Sequence, residues 1–196
     1  MGNRGSGLSF SRRRKKLNIP LVKEIVLWIG EIIFVVAIAF FFVYFVGTGT
    51  QAVGSSMAPN LTNGEKILIN KVVYVLSDPK PNDVVVFLPN GNTKSHYYIK
   101  RIIAVPGDTI QIRDGAIYVN KKLFIDKFDA PAIDEPGLAK DEIQLGDDEY
   151  FVLGDNRNDS EDSRYANIGN LKKEYIVGKA WLLYSPLSRF GIISSH

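Results

Sequence analysis

Apolar and polar positions change their rhythm once along this chain, near residue 47. Before that point runs Ile25–Val46, IVLWIGEIIFVVAIAFFFVYFV, 22 residues interrupted by one charge, Glu31. At about 1.5 Å per helical residue, such a run crosses a hydrocarbon core of roughly 30 Å. No comparable run follows. From residue 50 onward the pattern shortens to β-branched and aromatic runs: Lys66–Val75, Asp83–Leu88, His96–Val105, Thr109–Val119, Glu149–Leu153 and Tyr175–Tyr184. Turn residues punctuate them, among them Asn63-Gly64, Pro106-Gly107-Asp108 and Gly154-Asp155-Asn156. Asp114-Gly115, set between Ile110-x-Ile112 and Ile117-x-Val119, predicts a two-residue hairpin. Met57–Thr62 and Leu171–Tyr175 offer a turn of helix, and the acidic stretch Asp126–Glu149 reads as a solvated loop or a small excursion. The fold class expected is mainly β: an antiparallel β-sheet domain hanging from one N-terminal transmembrane helix.

Charge sharpens the division. Residues 1–24 carry seven Arg and Lys against Glu24, a net +6, so the remainder of a chain of net +3 sums to −3. The expected organisation is a basic cytoplasmic leader over 1–24, a transmembrane anchor over 25–46 and an extracytoplasmic β-rich domain over 47–196. Positive residues before the span keep the N-terminus in the cytoplasm. A cleaved signal peptide has the same order of charge and apolarity, but its apolar region is about 7–15 residues. The longer run and longer leader favour an uncleaved anchor, with Glu31 near the cytoplasmic interface. Because the basic residues sit in a short leader, nucleic acid is not an expected partner. The absence of cysteine removes disulfides, thiol catalysis and thiolate-bound zinc.

Hydrolytic chemistry needs a nucleophile, a base and an oxyanion donor within reach of one another. The two histidines are His96, on an expected strand, and the terminal His196. The inventory leaves open a Ser-His-Asp arrangement through His96, although a lone strand histidine is more often structural. Gly54-Ser55-Ser56-Met57-Ala58 lacks the final glycine of a nucleophile elbow. A lysine can replace histidine when apolar surroundings lower the pKa of its amine. Lys100 lies in the apolar run Tyr97–Val105, where period-two alternation sends Lys100 and Arg101 to opposite faces. Taken alone, a strand lysine is more often solvated.

Four ordered motifs change that weighing. Gly54-Ser55-Ser56-Met57-Ala58-Pro59-Asn60-Leu61 resembles the nucleophile box of the type I signal peptidases, S-M-x-P-T-L. Tyr98-Ile99-Lys100-Arg101 followed by Pro106-Gly107-Asp108 resembles their lysine box. Gly154-Asp155-Asn156-Arg157-Asn158-Asp159-Ser160-Glu161-Asp162-Ser163-Arg164 is similar to their G-D-N-R-x-x-S-x-D-S-R box. Gly178-Lys179-Ala180 and Pro186-Leu187-Ser188-Arg189-Phe190-Gly191 resemble the closing segments of the compact, single-span form.

The resemblance implies a membrane-bound serine endopeptidase that removes signal peptides from exported preproteins after small residues. It makes Ser56 the nucleophile, Lys100 the general base and Ser160 the residue that orients the lysine. The Ser56 backbone N–H would hold the oxyanion, Ile99 and Ala52 would line substrate pockets, and Asp155, Arg157, Asp162 and Arg164 would support the site. Its partners would be preproteins, the lipid bilayer and the export machinery. No metal or cofactor is implied.

Three positions depart from the family pattern: Asn60 for threonine, Asn158 for aspartate, and Gly54 where some members carry an oxyanion-binding serine. The last leaves the second oxyanion donor open. The apolar end, Trp181–Tyr184 and Phe190–Ile193, reads equally as core strand or as a segment dipping into the membrane interface. Two other readings stand beside this one. A self-cleaving, repressor-like Ser-Lys protease conflicts with the span and the G-D-N-R box. A catalytically silent, membrane-tethered β domain that binds a protein partner conflicts with the joint presence of Ser56, Lys100 and Ser160.

Overall fold

The computed structural model describes residues 18–45 and 48–193. Most of the basic leader, together with Val46, Gly47 and His196, lies outside the described residues. The chain separates into two compact units, Met1–Phe40 and Phe41–His196.

The first unit is built on helix α1, Ile19–Phe45. It begins six residues before the expected start of the span. Asn18 precedes it, with its carbonyl accepting the Val22 N–H at 3.0 Å. Pro20 stands in the first turn, where a missing N–H costs nothing and the fixed φ suits a helix. Every described side chain of α1 is exposed, Trp28 and Phe34 among them at 67% and 66%. An apolar helix whose described side chains are exposed fits a lipid surround, and Ile19–Phe41 has the length and composition to cross a membrane. Glu31, expected near the start of the span, stands near the middle of α1.

The second unit is antiparallel throughout. In chain order it contains β1 (Thr48–Gln51), β2 (Lys66–Asn70), a one-turn helix α2 (Val73–Leu76), β3 (Val84–Phe87) and β4 (Tyr98–Ala104). There follow β5 (Thr109–Arg113), β6 (Ala116–Val119), β7 (Lys122–Leu123), β8 (Ile143–Gln144), β9 (Glu149–Leu153), β10 (Leu171–Lys172), β11 (Ile176–Ser185) and β12 (Gly191–Ile192). The larger sheet runs β1-β2-β11-β3-β4-β9-β10, with β12 added to β11, and the smaller runs β7-β6-β5-β8.

β3 shows why the larger sheet reads as unbroken apolar runs. All four of its residues are buried. Val84 and Val86 join Ile67, Ile69, Ile99 and Ala180 in one cluster, whereas Val85 and Phe87 join Ile102, Tyr150 and Val152 in another. Alternation is intact, but both faces are covered, so polarity does not alternate with it. The Asp114-Gly115 hairpin forms as expected, with φ of 51° and 74° at its two central residues.

Several expectations are corrected. The run Lys66–Val75 does not continue as one strand, because Asn70 Oδ1 accepts the N–H groups of Val72 and Val73, both at 3.1 Å, and turns the chain into α2. His96 precedes β4 and is exposed. The acidic stretch 126–149 is not merely solvated. Ile133, Ala139 and Leu145 are buried with Ile110, Ile112 and Phe151 and join the smaller sheet to the larger. Residues 171–175 form β10 and a 3-10 turn rather than helix alone. Replacing Asn70 by Ala removes the acceptor that starts α2, and unfolding measurements should show a loss of about 1 kcal/mol.

Candidate active site

Ser56 follows the extended segment that leaves β1. Three bonds with residues 156 and 159 hold the segment around it. The Asn156 N–H donates to the Ser56 carbonyl at 3.0 Å, and Asn156 Nδ2 donates to the Ser55 carbonyl at 3.3 Å. The Ser55 hydroxyl donates to Asp159 Oδ2. Beyond Ser56 the chain winds into a turn, with the Ala58 N–H donating to Ser55 O and the Leu61 N–H to Met57 O. The Ser56 N–H donates to no protein acceptor among the described residues. The Gly54 N–H, by contrast, is held by Asn63 Oδ1 at 3.0 Å. Gly54 has φ +83°, so a serine there, as in some relatives of this motif, would be strained. Ser55 offers no substitute, since its hydroxyl is engaged by Asp159.

Lys100 comes from the middle of β4 and is 4% exposed. Its Nζ donates to Ser56 Oγ at 2.7 Å and lies 5.5 Å from the centre of the Tyr98 ring. Burial lowers its pKa from 10.5 to about 8, against the upward pull of Asp162, Glu161 and Asp155, with Arg164 adding a small downward push. Arg101, the next residue, takes a different direction and is held by both oxygens of Asp155 at 2.7 Å.

The motif from Gly154 to Arg164 builds the floor. Asp155, Arg157, Asp162 and Arg164 are all at most 2% exposed. Asp155 joins Arg101 and accepts from Asn60 Nδ2 at 2.8 Å. The Asn60 amide therefore makes a productive contact at one of the three departures. Asp162 pairs with Arg164 and accepts the Gly154 N–H at 3.1 Å. Arg157 donates to the Gly154 carbonyl and grips Asp126 with both terminal nitrogens. Asn158 accepts from the Asp134 N–H and donates to the Ala132 carbonyl, a pairing that needs an amide rather than a carboxylate.

Gly154 is where backbone and site meet most closely. The register pairs Arg101 with Leu153, so one step further Gly154 comes alongside Lys100. The place its β-carbon would occupy is filled by the Ser56 carbonyl and the Ser160 side chain. The hydrogen bond expected between Ser160 and Lys100 is not formed. Ser160 Oγ is buried without a partner, packed on Gly154, while the Lys100 amine turns to Ser56.

The site opens into a groove of about 280 Å³ that includes Ala52, Leu61, Met57 and Ile99 beside Ser56 and Lys100. His96 is on its rim, and no hydrogen bond ties His96 to Ser56. The groove also holds residues the sequence reading did not single out: Tyr98, whose hydroxyl donates to Glu161 Oε2 at 2.9 Å, and Asp159. Tyr98 could have been flagged from its i−2 spacing to Lys100 on one strand face. Asp126, remote in sequence from Arg157, carried no such signal.

A serine hydroxyl bonded to a buried, readily neutralised amine beside an unoccupied backbone N–H has the parts for acyl transfer. The comparisons agree with that chemistry. The family model described as signal peptidase, peptidase S26, matches residues 25–185. This chain belongs to the signal peptidase S26 family.

Among the relatives of this family member, signal peptidase I P of Bacillus subtilis subsp. natto is 37% identical over 185 residues, 90% of this chain and 95% of its own length. A probable signal peptidase I-2 of Synechocystis sp. is 35% identical over 154 residues, 76% and 68% of the two chains. A crystal structure of a signal peptidase I from Enterococcus faecalis aligns with 53% of this chain and 97% of its own at 27% identity and a TM-score of 0.43.

Two substitutions test this description. Gly154→Ala puts a methyl group onto Ser56 O and Ser160 and should reduce cleavage of a preprotein at least about tenfold, since displacement by about 1 Å can cost 100-fold. Asp155→Ala leaves Arg101 buried without its partner and should cost about 3–5 kcal/mol in unfolding measurements.

Proposed function

We propose that this chain is a membrane-bound serine endopeptidase that removes N-terminal signal peptides from exported preproteins, using Ser56 as nucleophile and Lys100 as general base. The observation that carries this reading is the 2.7 Å contact between Lys100 Nζ and Ser56 Oγ, made by an amine almost wholly removed from water.

The reaction follows from that contact. With the amine neutral, the same short contact runs the other way, the Ser56 hydroxyl donating to the Lys100 nitrogen. As Oγ attacks the carbonyl carbon of the scissile peptide, its proton passes to Lys100. The carbonyl oxygen gains the negative charge and accepts from the Ser56 N–H, a type of contact that contributes about 3–4 kcal/mol where it is removed in comparable sites. The ammonium then gives its proton to the departing amine, the C–N bond breaks, and the signal peptide remains as an ester on Ser56. Water attacks that ester with Lys100 again taking the proton, the bond to Ser56 Oγ breaks as Lys100 returns that proton to Oγ, and the carboxylic product leaves. Ser160, buried and without a partner beside Gly154, is read as the hydroxyl that receives the Lys100 ammonium during the step.

Cleavage after small side chains follows from the groove. Ile99 and Ala52, 6% and 5% exposed, present shallow apolar walls that a bulky side chain would overfill. α1 supplies the membrane attachment, with residues 1–24 cytoplasmic and residues 47–196 on the far side. A tethered enzyme meets substrates whose own apolar segments are still in the bilayer, at raised effective concentration. The export machinery that threads those substrates, and the lipid surface itself, complete the set of partners. A silent β domain that only binds a partner would have no use for a lysine buried against a serine.

Preprotein cleavage by purified enzyme should fall at least about 1,000-fold in both Ser56→Ala and Lys100→Ala, as for the loss of a nucleophile or its base. Near-normal cleavage by either variant would remove that residue from the mechanism. The pH profile follows from the base: cleavage is low while Lys100 carries its proton, rises with pH through about 8, and levels off above. Rates measured from pH 6 to pH 10 under chemistry-limited conditions check the sign and the midpoint.

A further inference from the structure

The turn that follows Ser56 is held from two sides. On one, Asn60 Nδ2 donates to Asp155. On the other stands Arg189, 129 residues further along the chain from Asn60, in the 3-10 turn Leu187–Arg189. One terminal nitrogen of Arg189 donates to two carbonyls of the turn, Pro59 O at 3.2 Å and Asn60 O at 3.1 Å. The other pairs with Glu65 Oε1 at 2.7 Å and reaches Thr62 Oγ1 at 3.4 Å.

Glu65 ties this contact into the site. Its side chain is 4% exposed, and Oε2 accepts the Thr62 N–H at 2.8 Å, closing the turn from inside. Its backbone carbonyl accepts the Ala52 N–H at 2.8 Å, so the same residue also braces the groove wall. The turn between them contains Met57 and Leu61, both buried and both lining the groove beside Ser56. The Pro59 and Asn60 carbonyls use neither a helix nor a strand partner, and the guanidinium satisfies them. A planar fork reaches two carbonyls and a carboxylate at once, whereas an ammonium is a point charge on a flexible stem.

We propose that Arg189 is a positioning residue for the nucleophile: by binding Glu65 and the Pro59 and Asn60 carbonyls it fixes the turn that sets Ser56 Oγ against Lys100. This rests on the Ser56–Lys100 reading above. Arg189 is 41% exposed at its side chain but Glu65 is 4% exposed, so Arg189→Ala leaves a buried carboxylate without its cation and lowers stability, whereas Arg189→Lys keeps the charge. In Arg189→Lys the loss falls on the geometry of the nucleophile, where about 1 Å of drift is enough to cost up to 100-fold.

The test compares Arg189→Ala and Arg189→Lys with the unmodified full-length enzyme in detergent, measuring kcat, KM and thermal unfolding with a preprotein bearing an Ala-x-Ala cleavage site. Both variants should lose about 10- to 100-fold in kcat with KM changed less than about threefold, the unfolding midpoint falling in Arg189→Ala and staying nearly unchanged in Arg189→Lys. Added guanidinium chloride at millimolar concentration should restore part of the Arg189→Ala activity, and none in Ser56→Ala. Arg189→Lys is the deciding variant if Arg189→Ala does not fold. A kcat within twofold of the unmodified enzyme in Arg189→Lys overturns the proposal, as does a kcat loss that guanidinium leaves unrelieved in a folded Arg189→Ala. Ser56→Ala and Lys100→Ala run in parallel separate the two readings: if they cleave normally, the dyad fails whatever Arg189 does.

Discussion

The constraint on which this site depends is the burial of one amine. Lys100 leaves water to lie against Ser56 Oγ, and removing an ammonium from water penalises its charged form strongly. That penalty lowers the pKa of the amine to about 8, and it also limits what may stand around it. Three carboxylates, Asp155, Asp162 and Glu161, pull the pKa back upward. Each has another partner: Asp155 faces Arg101, Asp162 faces Arg164, and Glu161 takes the Tyr98 hydroxyl. A carboxylate already matched by a guanidinium exerts a weaker field on a third group, so burial prevails and the amine remains easy to deprotonate.

The buried ion pairs thus serve the lysine as much as the fold. Pairs with both partners at most 3% exposed, Arg101–Asp155 and Arg164–Asp162, are poor investments in stability compared with apolar packing. Their value is directional. Arg164 donates to the Arg157 carbonyl, Arg157 to the Gly154 carbonyl, and Asp162 accepts the Gly154 N–H. The chain from 154 to 164 is therefore stiff where it presses against the Ser56 carbonyl. Gly154 lets that approach happen, because no side chain intervenes between the two strands of contact.

The larger sheet supplies the rigid frame. β4 carries Lys100 in its interior with neighbours on both sides, β3 and β9, so the amine has a fixed origin. Ser56 has none of that support from its own strand, since it lies beyond β1 at the sheet edge. Its position is set by hydrogen bonds that the segment around it accepts from Asn156 and Arg189 and gives to Asp159, all distant in sequence. A lysine on a central strand and a serine on a braced turn divide the task between a fixed element and an adjustable one.

The sequence by itself determined the apolar helix, the antiparallel β character of the rest and the Asp114-Gly115 hairpin, and its motifs named candidate residues that the fold brings to one groove. These are carried by local signals: the length of an apolar run, period-two alternation, turn residues with φ > 0, and motif spacing. It misjudged elements whose fate is set by side-chain hydrogen bonds or by distant packing. Asn70 turned an apparent strand into α2, and Ile133, Ala139 and Leu145 drew an acidic loop into a core. The tertiary structure alone decided that Lys100, rather than any other strand lysine, is dry. It also decided that Ser160 rests on Gly154 instead of on the lysine, and that Arg189 reaches back to the turn after Ser56. Burial and long-range contact depend on what the fold brings together, and no local pattern encodes the partner of a side chain 129 residues away.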